Sequence, residues 1–179
     1  MALRAAAVLL AALAGCPGGE GSGEPSELSR PGAPIGAPDP YAHSDSRFGI
    51  IPLHAGFSPD PRVVAGTAIG EIPAQSIHRK CSGWISKIPD YLLDADTAFF
   101  QLHVLGRSHS NVGLVVRKPD RSVLCTNGTG KKSPIIRSDF PIGTTQVWIG
   151  VADEGATADY RLGFSEVNSH PSSIRLPND

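Results

Sequence analysis

Apolar residues in this chain recur at every second position and at no point with helical spacing, and this constrains the fold more than any other feature. The stretch from Asn111 to Asn127 reads N-V-G-L-V-V-R-K-P-D-R-S-V-L-C-T-N. Val112, Leu114 and Val116 alternate with Gly113, Val115 and Arg117, the pattern of a half-buried strand whose successive side chains point to opposite faces. Lys118-Pro119-Asp120-Arg121 then reads as a turn: proline presets φ at the first corner, and the Asp120 side chain can bond the backbone two residues on. Ser122 to Cys125 is the returning strand of this hairpin.

Similar short runs lie on either side, separated by turn residues. They cover Arg62 to Ala65, Ser82 to Ser86, Thr97 to Leu105, Pro134 to Arg137, Gln146 to Val151 and Tyr160 to Phe164. In the run from Thr97, Phe100, Leu102 and Val104 are expected on one face, with Phe99, Gln101 and His103 on the other. Many short strands without helices predict an all-β domain, an antiparallel sandwich or barrel with one core. Twenty glycines, sixteen prolines and a single methionine suit such a loop-rich fold. A net charge of −1 offers nothing that selects nucleic acid or an anionic membrane as a partner.

The N-terminus predicts a destination. Met1-Ala2-Leu3-Arg4 carries one positive charge, and Ala5 to Ala12 is an apolar run too short to span a bilayer. Leu13-Ala14-Gly15-Cys16 follows. This is the order of a secretory signal peptide, and its end resembles the lipobox of bacterial lipoproteins. The resemblance implies cleavage before Cys16, lipidation of Cys16 and several acyl chains, enough for stable anchoring. Pro17 follows Cys16 where an inner-membrane retention signal would place Asp, so the outer membrane is the expected destination. Residues 1–15 are then the signal peptide. Residues 16–46, rich in Pro, Gly, Ser and Glu, are a flexible tether that lacks the apolar surface to fold. The folded domain is expected over residues 47–168, with a polar tail at 169–179 in which Ile174 and Leu176 can dock. Export leaves Cys81 and Cys125 in an oxidising compartment, where a pair is expected to form a disulfide worth about 4 kcal/mol in loop entropy.

Motifs for chemistry fall short of their requirements. Gly56-Phe57-Ser58-Pro59-Asp60 lacks the second glycine of a nucleophile elbow and the helix that must follow it. Asn127-Gly128-Thr129-Gly130-Lys131-Lys132-Ser133 has Cys125 where a phosphate loop needs glycine, and Lys132 where it needs Ser or Thr. His103 and His109 lack a third zinc ligand and are expected to be solvated. Loop carboxylates Asp94, Asp96, Asp120, Asp139, Asp153, Glu154 and Asp159 are candidates for calcium, with Asp120, Asp153 and Asp159 foremost. Asn127-Gly128-Thr129 matches a glycosylation sequon, which means little beside a bacterial lipobox. Trp84 and Trp148 are expected to pack rather than to bind sugar.

Five segments in order carry a second resemblance. They are Gly56 to Pro61; Cys81-Ser82-Gly83-Trp84-Ile85-Ser86-Lys87-Ile88-Pro89-Asp90-Tyr91; Leu114 to Asp120 with Cys125; Val147-Trp148-Ile149-Gly150; and Tyr160 to Glu166. From Phe57 to Val167 the chain resembles the pre-peptidase C-terminal type of domain. That implies a jelly-roll-like β-sandwich, bonded cysteines and a non-catalytic module, in some relatives binding calcium or extracellular polymers. The chain departs from the pattern after Cys125, where Asn127, Lys131 and Lys132 stand in place of an acidic run. Those three residues become candidate ligand-loop residues, and a calcium ion there would lose its charge complement. The expected function is a lipid-anchored envelope protein displaying a non-catalytic binding or structural module, with no cofactor. Its expected partners are the membrane, through the anchor, and an extracellular polymer or another envelope protein. The alternatives are a calcium-dependent adhesin or polysaccharide binder, and a small anchored hydrolase.

Overall fold

The computed structural model describes residues 39, 41–126, 133–167 and 169–175. Their strands are β1 (Ile50–Leu53), β2 (Arg62–Ile69), β3 (Ile72–Pro73), β4 (Trp84–Ile85), β5 (Tyr91–Ala95), β6 (Phe99–Ser108), β7 (Gly113–Arg117), β8 (Val123–Cys125), β9 (Ile135–Phe140), β10 (Gly143–Gly150) and β11 (Thr157–Ser165). One sheet has the order β1-β5-β10-β7-β8 and another the order β2-β11-β6-β9, while β3 and β4 form a two-stranded ribbon. The chain is an all-β sandwich, as the alternation predicts. Its pairs are antiparallel, as expected, except that β1 runs parallel to β5.

The core lies between the two large sheets. Leu93, Leu114, Val116, Val147 and Ile149 from one sheet meet Leu102, Val104, Phe140, Leu162 and Phe164 from the other, all nearly or fully buried. The predicted inward positions of the hairpin, Val112, Leu114 and Val116, belong to this cluster. Asp120 closes the turn as expected, its carboxylate accepting from the Ser122 backbone N–H at 2.9 Å and the Ser122 hydroxyl at 2.7 Å.

The other face of the five-stranded sheet is buried as well, which corrects the half-buried reading of the hairpin. Val115 and Trp148 project from it into a second cluster with Ala74, Cys81 and Ile85. The covering residues belong to the excursion from β3 to β4. It is held by the antiparallel bridge between Trp84 and Val151, both of whose hydrogen bonds are 2.8 Å, and by Cys81 and Cys125, whose sulfurs are bonded across a Cα–Cα separation of 5.6 Å. Gly83 permits this approach: its φ is +88°, and a Cβ there would stand 2.6 Å from the Val151 carbonyl oxygen.

β6 departs from its expected register. A bulge between Phe99 and Leu102 turns Phe99 inward and leaves Phe100 fully exposed. Extra residues in one strand break strict alternation in this way. β1 and β5 have no counterpart among the runs that the sequence pattern predicts. β5 reads Tyr-Leu-Leu-Asp-Ala and is buried at every position but Asp94, so no period of two marks it. At the C-terminal end, Ile174 docks beside Gly163, and Arg107 donates to its carbonyl at 2.5 Å; Leu176 lies outside the described residues.

Side chains close the sandwich along its edges. The Tyr91 hydroxyl donates to Ala65 O at 2.5 Å, and Arg47 donates to Thr67 O at 2.8 Å. Both carbonyls belong to the edge strand β2. Arg47 also pairs at 2.6 Å with Asp90, whose other oxygen accepts from the Ile149 N–H at 2.7 Å. Asp90 is fully buried. Burial pushes its carboxyl up to about 6, against the opposing pull of the Ile149 N–H and of Arg47.

Two measurements test this packing. Trp148→Ala removes the largest fully buried side chain and is expected to cost about 3–5 kcal/mol in urea unfolding. For Asp90, a folded pKa above the unfolded one stabilises the protein below about pH 4, and the gain is lost as pH rises through 6. The stability of wild type relative to Asp90→Asn should therefore fall across that window, by up to about 3 kcal/mol. Parallel curves for the two proteins would refute the assignment.

Candidate functional site

A polar cleft of about 230 Å3 opens on the outer face of the five-stranded sheet, lined mainly by Asp39, His43, Arg117, Arg121, Thr144 and Gln146. Strand alternation builds its floor. Leu114 and Val116 point into the core, so Arg117 points out with Val115. Gln146 is Arg117's cross-strand partner on β10, and the two side chains meet at 3.4 Å. The turn after β7 adds the second cation. Arg121 adopts φ 69°, the one left-handed non-glycine among the described residues, and its Nε lies 3.6 Å from Asp39 Oδ2.

The roof is the segment that precedes the sandwich. Asp39, Tyr41 and His43, which the sequence assigns to the tether, lie against the sheet. The Asp39 carboxylate pairs with Arg117, and its other oxygen accepts from the Tyr41 N–H at 3.0 Å. Arg117 further donates to Tyr41 O and Gln146 Nε2 to His43 O, both at 3.3 Å. The His43 ring stands edge-on to Trp148, 6.1 Å between centroids. The Arg117 and Asp39 side chains are only 12% and 14% exposed, so water screens this pair less than an open surface pair. The Tyr41 N–H, followed by Arg117, holds the Asp39 carboxyl below its usual range. Burial, aided by the Arg117 charge, lowers His43 and favours its neutral form. A two-arginine fork with amide and hydroxyl neighbours is equipped to bind carboxylate.

Lys118 also lines this cleft, but its charge is engaged elsewhere. Its ammonium bonds Ser138 at 2.8 Å and Asp139 at 3.1 Å and lies over the Phe140 ring. This bridges the two sheets, and it holds the Asp139 carboxyl low, with help from Ser138.

The calcium candidates do not converge. Asp120 is engaged in its own turn. Asp159 accepts from the Thr67 hydroxyl at 2.7 Å on the other sheet. Asp153 lines a second depression, between the turns after β6 and β10. Among the described residues no three acidic, histidine or cysteine side chains are grouped to hold a metal ion. Cys16, Asn127, Lys131 and Lys132 lie outside the described residues.

His103 corrects an expectation of solvation. It is 1% exposed, set between its register partners Ser165 and Arg137, and neither ring nitrogen has a protein hydrogen-bond partner. Burial lowers its pKa, with Arg137 adding to the effect and the nearby Ser169 backbone and Asp60 opposing it. A lowered histidine pKa gives stability that is present above about 6.5 and lost as pH falls below it. His103→Leu is expected to remove that acid-side loss, read as a smaller drop in melting temperature between pH 7 and 5; an unchanged drop would contradict this.

No protein-family model matches this chain, and no curated protein does. Among solved structures the chain is similar to the pre-peptidase C-terminal domain of collagenase from Bacillus anthracis. The identity is 11%, the match covers 69% of this chain and 99% of that one, and the TM-score is 0.44.

Proposed function

We propose that this protein is an exported, lipid-anchored envelope protein whose β-sandwich serves as a non-catalytic binding module. The observation that carries the binding reading is the arginine fork on the outer face of the sheet, which holds a carboxylate between Arg117 and Arg121. The groups around it are suited to recognition: Gln146 and Arg117 donate to main-chain carbonyls, and Thr144 adds a hydroxyl to the lining.

Anchoring is supported by Leu13-Ala14-Gly15-Cys16 and by the Pro-, Gly- and Ser-rich composition of the residues that follow. A Cys81–Cys125 bond fits a protein that matures in an oxidising compartment. Diacylglycerol on Cys16, with a second acyl group on its amine, would hold the module at the membrane. The outer membrane is the proposed location, and the proposed partner is another envelope component.

Metabolic labelling with a radioactive fatty acid tests the anchor. The wild-type protein should take up label and fractionate with membranes, and Cys16→Ser should do neither. A Cys16→Ser protein that still sediments with membranes removes the anchor from this account.

A further inference from the structure

The segment that roofs the cleft is held against the sheet as a peptide ligand is held. It is a tight turn, closed by the Ala42 N–H donating to Asp39 O at 3.0 Å and the His43 N–H to Tyr41 O at 3.1 Å, and it meets the sheet at three points: the Asp39 side chain at Arg117 and Arg121, the Tyr41 carbonyl at Arg117, and the His43 carbonyl at Gln146. One contact reads a carboxylate, and two read main-chain carbonyls that any sequence presents. The sheet side of the cleft does not depend on this segment for its shape. Arg117 and Gln146 are fixed by strand pairing, and Arg121 by the turn that Asp120 closes. Two guanidinium groups face one carboxylate, leaving an excess positive charge, while the neighbouring Lys118 is committed to Asp139. The segment itself has few apolar anchors: Ala42, Ser44 and Asp45 are exposed.

We propose that the Arg117–Arg121–Gln146 face of the cleft is a docking site for an aspartate-containing turn of a partner protein, and that Asp39, Tyr41 and His43 cover it in cis as a replaceable mimic. This inference rests on the reading of the cleft as a binding site. The partner presents a carboxylate to the arginine fork and main-chain carbonyls two and four residues on. A tethered occupant competes at an effective concentration in the millimolar range, so the resting site binds weakly. Displacement releases the strap and uncovers the edge of Trp148 beneath His43.

The test uses the full chain carrying Cys16→Ser, so that its outcome is independent of the anchor, which fatty-acid labelling reports separately. The probe is a fluorescein-labelled peptide with the sequence of residues 39–46, Asp-Pro-Tyr-Ala-His-Ser-Asp-Ser, followed by polarisation at low salt. Asp39→Ala, which empties the fork, is expected to bind the peptide at least tenfold more tightly than the protein with Asp39 intact. Adding Arg117→Gln should abolish that gain, and so should replacing the first aspartate of the probe with asparagine. Free aspartate at the same concentration should not compete, because it lacks the main-chain contacts. Equal affinity with and without Asp39, binding that survives Arg117→Gln, or no binding to the Asp39→Ala protein would each overturn the proposal. Amide exchange gives a second readout that needs no substitution in the strap. Excess peptide should accelerate exchange at residues 41–46 of the protein with Asp39 intact, and unchanged protection would count equally against displacement.

Discussion

The sandwich depends on β10 being buried on both faces. Val147 and Ile149 enter the main core while Trp148, between them in sequence, enters a second cluster on the opposite side. An indole of about 200 Å2 contributes roughly 5 kcal/mol of transfer free energy when removed from water, before ordering costs. That gain requires a covering layer, and the excursion from β3 to β4 supplies it. The excursion has little secondary structure of its own. It holds its place through the Trp84–Val151 bridge and the cysteine pair, which lower the entropy that would otherwise oppose docking.

The same constraint positions the cleft. Along the outer face of the five-stranded sheet, the side chains under the excursion are apolar: Val115 and Trp148. One step further along each strand, at Arg117 and Gln146, the face turns polar and the strap replaces the excursion as cover. The first region is held by burial. The second is held by the pairing of Asp39 with Arg117 and Arg121 and by two long hydrogen bonds, each worth on the order of 1 kcal/mol or less. Stability and exchangeability therefore lie side by side on one sheet, and a replaceable element belongs to the weaker part.

The hairpin from Val112 to Cys125 was legible because its alternation is uninterrupted and its turn residues have specific roles; Pro119 and Asp120 both stand where turn chemistry needs them. β5 was not legible. A strand covered on both sides is apolar at nearly every position, and Tyr91-Leu92-Leu93 carries no period to read. Phe100 misled because the bulge at the start of β6 shifts the phase of the alternation, and a sequence pattern does not announce the extra residue; His103 keeps its expected phase opposite Leu102 and Val104, but that face is itself covered. In the cleft, Arg117 was visible as the outward end of a strand, but Asp39 was hidden in a segment whose composition reads as tether.

The sequence by itself determined the class of fold, the inward residues of the hairpin and the chemistry available to its turn, because these follow from period two and from the local behaviour of proline and aspartate. The expectation of export and of a lipid on Cys16 also belongs to the sequence alone. Tertiary structure decided which outward faces are truly outward. Val115 and Trp148 became core, His103 lost its water, and Asp39 met Arg117 across 78 residues of chain. None of these is a local property. Each depends on a distant segment folding back over the sheet, and the free energy that brings it there comes from surfaces that the alternation marks as exposed.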